Sequence, residues 1–146
     1  MPNQQIMRWG PCNQAHATAQ ALITPGDLIE MIATPGADNG KVRAHGTAAG
    51  RAAPLFADGN WQFGKCIDDV YPVGDTVFTL APSPGARIFA RCATGTAIPL
   101  GTPLESAGNG LLRAATTGPI VAEAWEAELA SGDPSPGRIV VRIVAQ

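Results

Sequence analysis

The sequence is poor in charge. Charged residues are 15% of its 146 positions, against about 25% in an average domain, and the net charge is −2. Its ten basic residues are scattered from Arg8 to Arg142. No basic cluster interleaves with aromatic residues, so a nucleic-acid partner is not expected. Cysteine is equally sparse. Cys12, Cys66 and Cys92 are odd in number and share no CxxC spacing, which argues against a disulfide framework or a zinc ribbon. Long apolar runs are missing too: none approaches the roughly 18 residues of a membrane-spanning helix. With no charged-then-apolar leader at the N-terminus, the chain is expected to fold in a cytoplasm and to have no membrane partner.

Catalytic signatures are also lacking. There is no Walker loop, no GxGxxG after a strand, no HExxH and no GxSxG. Cys12 and His16 lie four apart, a helical spacing, but Pro11 and polar neighbours speak against a helix there. Cys66 and Cys92 fall in expected strands, where a free cysteine is commonly a small buried hydrophobe. His45 ends a short expected strand and reads as a surface residue. Asp68, Asp69 and Asp75 do not match the calcium-loop spacing and read as turn caps. The chain is expected not to be an enzyme and to carry no metal and no cofactor.

What the sequence does have is punctuation. Seventeen glycines and thirteen prolines divide apolar runs of about five to eight residues, most regularly between Gly74 and Val144. This pattern predicts an all-β fold, a small barrel, tulip-like or sandwich domain over residues 21–146. Ala86–Cys92 places Ile88, Ala90 and Cys92 on one face and Arg87, Phe89 and Arg91 on the other. The last strand turns Ile139, Val141 and Ile143 inward, with Arg138 and Arg142 outward. Asn109-Gly110 is the strongest hairpin signal, and Asn39-Gly40 is a second. Trp61–Ile67 alternates as a short strand with a glycine bulge. Ile120–Ala130 has helical propensity, but its strand-rich setting predicts a strand in its first half.

Residues 1–20 show neither helical nor strand periodicity. They are expected to form an extended N-terminal arm that adds little to the fold and orders against a partner. Ile6, Met7, Arg8 and Trp9 are the expected partner-binding residues, because tryptophan and arginine favour interfaces.

Several of these segments together resemble a known family. They are PGDLIE at Pro25–Glu30, Y-x-x-GD-x-V from Tyr71, and G-x-PL-x-S-x-G-x-G-x-L from Gly101. I-V-A-x-A-x-E from Ile120 and the basic, alternating terminal strand complete the set. In this order, from Leu22 to Val144, the chain resembles the small capsid decoration (cement) proteins of tailed bacteriophages, departing from them in the Gly46–Asn60 stretch. The resemblance implies a structural virion protein on the capsid exterior that binds the major capsid protein and itself, commonly as a homotrimer. An alternative reading is a β-sandwich binding module for carbohydrate, with Trp9, Trp61, Tyr71 and Trp125 as stacking residues. A third, a small hydrolase using Cys66 or Cys92, has less behind it.

Overall fold

The terminal strand organises the largest sheet. A computed structural model of the chain describes residues 5–93, 98–125 and 137–145. Within it β11 (Gly137–Ile143) buries Ile139, Val141 and Ile143, and it pairs antiparallel with β7 (Arg87–Cys92) from Gly137–Cys92 to Arg142–Arg87. Ile88, Ala90 and Cys92 are fully buried beside them, so period-two alternation sets which face is core. The other edge of β11 takes β10 (Ala122–Ala124), which pairs with β8 (Pro103–Gly108), and β8 turns back into β9 (Leu111–Ala114). With β1 (Met7–Trp9) on β7, the sheet order is β1-β7-β11-β10-β8-β9. A single parallel pair, Cys92 with Leu112, also brings β9 against β7.

The β8–β9 turn is the expected Asn-Gly hairpin. Asn109 and Gly110 both take positive φ, 53° and 78°, as a two-residue turn compatible with strand twist requires. Gly110 has a second reason to be glycine. A Cβ there would lie 2.8 Å from Cγ of the buried Asp27.

A second sheet, β2-β6-β5, joins β2 (Cys12–Thr18), β6 (Thr76–Pro82) and β5 (Phe56–Ala57), and β3 (Ile29–Met31) pairs with β4 (Val42–Ala44). Adjacent residues here serve two cores. Leu28, Phe56 and Leu80 join Ile6, Ile88, Leu104, Leu112 and Val141 in one cluster. Ile29, Ala57 and Val77 join Ile23, Val42 and Tyr71 in the other. The fold is therefore all-β, as the turn spacing predicts, and the described residues contain no α-helix.

Four expectations need correction. The N-terminal segment, in its described part, is not an independent arm. All seven residues of β2 pair with β6, from Cys12–Pro82 to Thr18–Thr76, and Ile6 is fully buried with its carbonyl accepting Phe89 N–H. The strand escapes pattern reading because β2 is an edge whose side chains are mostly exposed on both faces. Backbone bonding holds it, and no hydrophobic alternation marks it. Trp61–Ile67 is not a strand either. Trp61–Phe63 forms a 3₁₀ turn ended by Gly64 in the left-handed conformation at φ 72°, which leaves Cys66 exposed. His45 is not on the surface: it is buried between Ser106 Oγ at 2.7 Å and Arg51 O at 3.0 Å. Tyr71 is buried as well, its hydroxyl donating to Asp58 O at 2.7 Å, so it cannot stack on a ligand. The first half of Ile120–Ala130 does contain a strand, β10, and residues 126–130 lie outside the described residues, as do 1–4.

Buried polar groups tie the pieces together. Glu105 is enclosed, and its carboxylate accepts from Arg113 Nε at 2.9 Å, Thr116 Oγ1 at 3.0 Å and the amides of Thr117 and Gly118. Burial pushes this carboxyl up, but the Gly118 amide, Arg113 and Thr116 outweigh it and hold it at about 2. A carboxyl with a lowered native pKa stabilises the fold above its unfolded value and loses that contribution as pH falls towards the native one. Glu105→Gln should therefore lower the melting temperature at neutral pH. The difference from the parent should close as pH drops from about 4.5 to about 2. A gap that does not change across that window would rule out a charge-based role.

Candidate functional site

Because β7 and β11 turn Ile88, Val141 and Ile143 inward, their alternate residues form the opposite face of the sheet. Register lines these up across the strands: Trp9 lies beside Arg87, Arg87 beside Arg142, and Arg142 beside Glu123. The result is a ladder. The Arg87 guanidinium carbon sits 5.1 Å from the Trp9 ring centre and 4.2 Å from that of Trp125, and the Arg142 guanidinium is 5.1 Å from the Trp125 ring. Arg142 also pairs with Glu123, and Arg8 lies 4.4 Å over Phe89. Stacking of this kind is worth roughly 0.5–1 kcal/mol per exposed contact. It also fixes side chains that would otherwise move freely. Arg87 Nε is buried with no hydrogen-bond acceptor among the described residues.

Among the described residues, one end of this face is covered and the other is open. At the covered end Arg91 and Arg138 are paired, and the Pro25–Asp27 segment lies over them. Arg91 binds Asp27 Oδ1 at 2.6 Å, while Arg138 donates to Pro25 O, Ile67 O and Asp68 Oδ1. At the open end Trp9 is 59% exposed and Trp125 is 38% exposed.

The expected partner-binding residues thus divide. Ile6 belongs to the core, and Met7 packs half-buried against it. Arg8 and Trp9 reach the surface, where Arg87, Trp125 and Arg142 join them. The outward positions of Arg87 and Arg142 are legible in strand alternation, but the meeting of Arg87 with Trp9 and of Arg142 with Trp125 depends on the strand order β1-β7-β11-β10.

A second aromatic feature lies on the 3₁₀ turn. Trp61 is 61% exposed and Phe63 is 71% exposed, and no residue of the turn is buried. A cavity of about 120 Å³ bordered by Trp61 is also lined by Gln5, Ile6, Asp58, Lys65 and Cys66. A smaller one of about 40 Å³, also bordered by Trp61, is lined by Gln14, Asp58, Gln62 and Phe78.

The residues weighed for catalysis do not converge. Cys12 and His16 share one face of β2 but lie four residues apart along a strand, about 13 Å at the usual rise. Burial pushes the Cys12 thiol up, away from the thiolate. Asp68 is paired with Arg138, and Asp69 Oδ2 accepts the Cys66 amide at 2.8 Å. Among the described residues no group of three acidic, histidine or cysteine side chains could hold a metal ion.

These features define a class: an all-β domain with an aromatic and arginine surface, assembled from strands that are distant in sequence. No family model matches the chain, and no curated protein matches it. Solved structures do. One is the N base of the bacteriophage phi29 head fiber gp8.5, with a TM-score of 0.58 and 12% sequence identity, covering 91% of this chain and 94% of that one. The likeness is one of fold, and it spans nearly the whole of both chains.

Proposed function

We propose that this chain is a structural protein of a tailed-bacteriophage virion. It sits on the outside of the head as a homotrimer and braces neighbouring major capsid subunits. The observation that carries the reading is the open Trp9–Arg87–Trp125–Arg142 ladder, on a fold shared with a head-fiber base. Tryptophan and arginine are the residues most enriched where interface energy concentrates. A guanidinium held between two indoles is preorganised for carboxylates on a partner, since its plane is already fixed. A protein that binds the assembled shell and not its disrupted state stabilises the shell by mass action. Three linked copies would add avidity.

The test is co-sedimentation of the purified chain with heads that lack it, alongside its own sedimentation equilibrium. The expected result is a trimer that saturates the heads. Trp9→Ala should fold normally, because its ring is largely exposed, and should weaken attachment by about 2 kcal/mol, close to thirtyfold. Heads that take up no more of this chain than of an unrelated protein would overturn the reading. A monomer at all concentrations would overturn the trimer.

A further inference from the structure

The chain has eight aromatic residues, of which Phe56 and Tyr71 are fully buried. Two others, Trp61 and Phe63, stand on one surface turn and contribute nothing to either core. Hydrogen bonds tie the backbone of the turn to the fold. Asp58 N–H donates to Phe78 O at 2.8 Å, Phe63 N–H to Asn60 O at 3.1 Å and Gly64 N–H to Trp61 O at 3.0 Å. Tyr71 and Arg138 bind the carbonyls of Asp58 and Ile67 from below, at 2.7 and 2.6 Å. The Phe63 ring stacks against Phe78 with centres 6.5 Å apart. The backbone that carries Trp61 is therefore tied down, and the indole borders both concavities.

The borders of those concavities are rich in groups that bond hydroxyls. Gln5 and Lys65 line the larger, Gln14 and Gln62 the smaller, and Asp58 borders both. Asp58 Oδ1 accepts the Gly59 amide at 2.8 Å, and its other oxygen has no protein donor among the described residues. Among the described residues, one carboxylate and one ammonium leave the lining with no net charge.

We propose that the Trp61 turn is a binding site for a neutral, hydroxyl-rich polysaccharide. The indole takes the C–H face of one sugar ring, and Asp58 with the flanking glutamines takes hydroxyls of the adjoining rings. Three features favour this occupant over a protein. The backbone that carries the indole is hydrogen-bonded before binding, so the ordering cost falls on the side chain alone. The donors and acceptors are amides and a single carboxylate placed around an apolar plate, a pairing suited to a ligand that is apolar on its ring face and polar at its rim. Among the described residues, the lining also lacks the arginines that mark the Trp9 ladder.

The inference does not depend on head attachment, and its test is separate. Affinity electrophoresis of the purified full chain would use gels containing a neutral glucan, a galactomannan or soluble chitin-derived oligomers, with heparin as the charged comparison. At least one neutral glycan should retard the chain. Trp61→Ala should weaken that binding tenfold or more, Trp61→Tyr should restore most of it, and Trp9→Ala should leave it unchanged. Melting curves of the Trp61 variants should match the parent, since the Trp61 ring lies largely in solvent. Retardation by none of the neutral glycans, by heparin alone, or equally in Trp61→Ala and the parent would overturn the proposal. So would loss of head binding in Trp61→Ala without any glycan binding by the parent, which would make the turn part of the head-docking surface.

Discussion

Deleting residues 1–20 should leave a chain that no longer folds cooperatively. The segment supplies β1 and β2, and β2 covers the whole length of β6, the central strand of its sheet. Backbone bonds alone would not make the loss decisive. Each is worth only about 0.5–1.5 kcal/mol net, and the deletion also releases the ordering entropy of the removed residues. Packing decides it. Ile6 is fully buried among Leu28, Phe56, Leu80 and Ile88, and Ala19 is fully buried in the second cluster. Removing one such aliphatic side chain costs about 2–5 kcal/mol, because the cavity closes only partly. The deletion removes Ile6, Ala19 and the half-buried Met7, Cys12 and Ala17 together. That approaches the roughly 5–15 kcal/mol that holds an ordinary domain folded. Ile6→Ala alone should lower stability by about 2–5 kcal/mol in urea titration, with the chain still folded. A truncated chain with dispersed amide resonances and an unchanged melting temperature would show that β1 and β2 are ornaments on the fold.

How far the fold can be read from the residues depends on what holds each element. Strands β7 and β11 are legible because a buried sheet face forces Ile88, Ala90, Ile139 and Val141 into strict alternation. The β8–β9 hairpin is legible because Asn109 and Gly110 supply the two positive φ angles its turn requires. Strand β2 is not, since Asn13, Gln14 and His16 face water whichever way they point. The stretch from Trp61 misleads for a related reason: its aromatic alternation imitates a strand, while Gly64 reverses the chain. His45 hides because its ring is satisfied by Ser106, 61 residues away, and by the Arg51 carbonyl of a loop that no periodicity marks. The docking face is half-legible. Arg8 and Trp9 stand out by residue type, but Arg87 gains its meaning only when strand order sets it between two tryptophans.

The same remoteness governs the pair whose disruption should cost most for a single side chain. Asp27 is nearly enclosed, at 4% side-chain exposure, and Arg91 reaches it from a strand 64 residues away. Its other oxygen accepts the Thr24 amide at 2.8 Å. Burial pushes the Asp27 carboxyl up, and Arg91 and the Thr24 amide offset only part of that. Arg91→Ala would leave this carboxylate enclosed without its cation, which should cost about 3–5 kcal/mol near neutral pH. Its pH dependence has a definite sign. A carboxyl with a raised native pKa is bound most favourably when protonated, so that contribution is present at low pH and is lost as pH rises through the native value. The deficit of Arg91→Ala should therefore shrink as pH falls. The comparison belongs above about 4.5, below which Glu105 begins to lose its own contribution in both proteins. The double variant Arg91→Met, Asp27→Asn removes the buried charge altogether and should be more stable than Arg91→Ala at neutral pH. Urea titrations of the three variants at several pH values would settle it. A deficit below about 1 kcal/mol would mean that water reaches Asp27 and that the pair is in effect a surface ion pair.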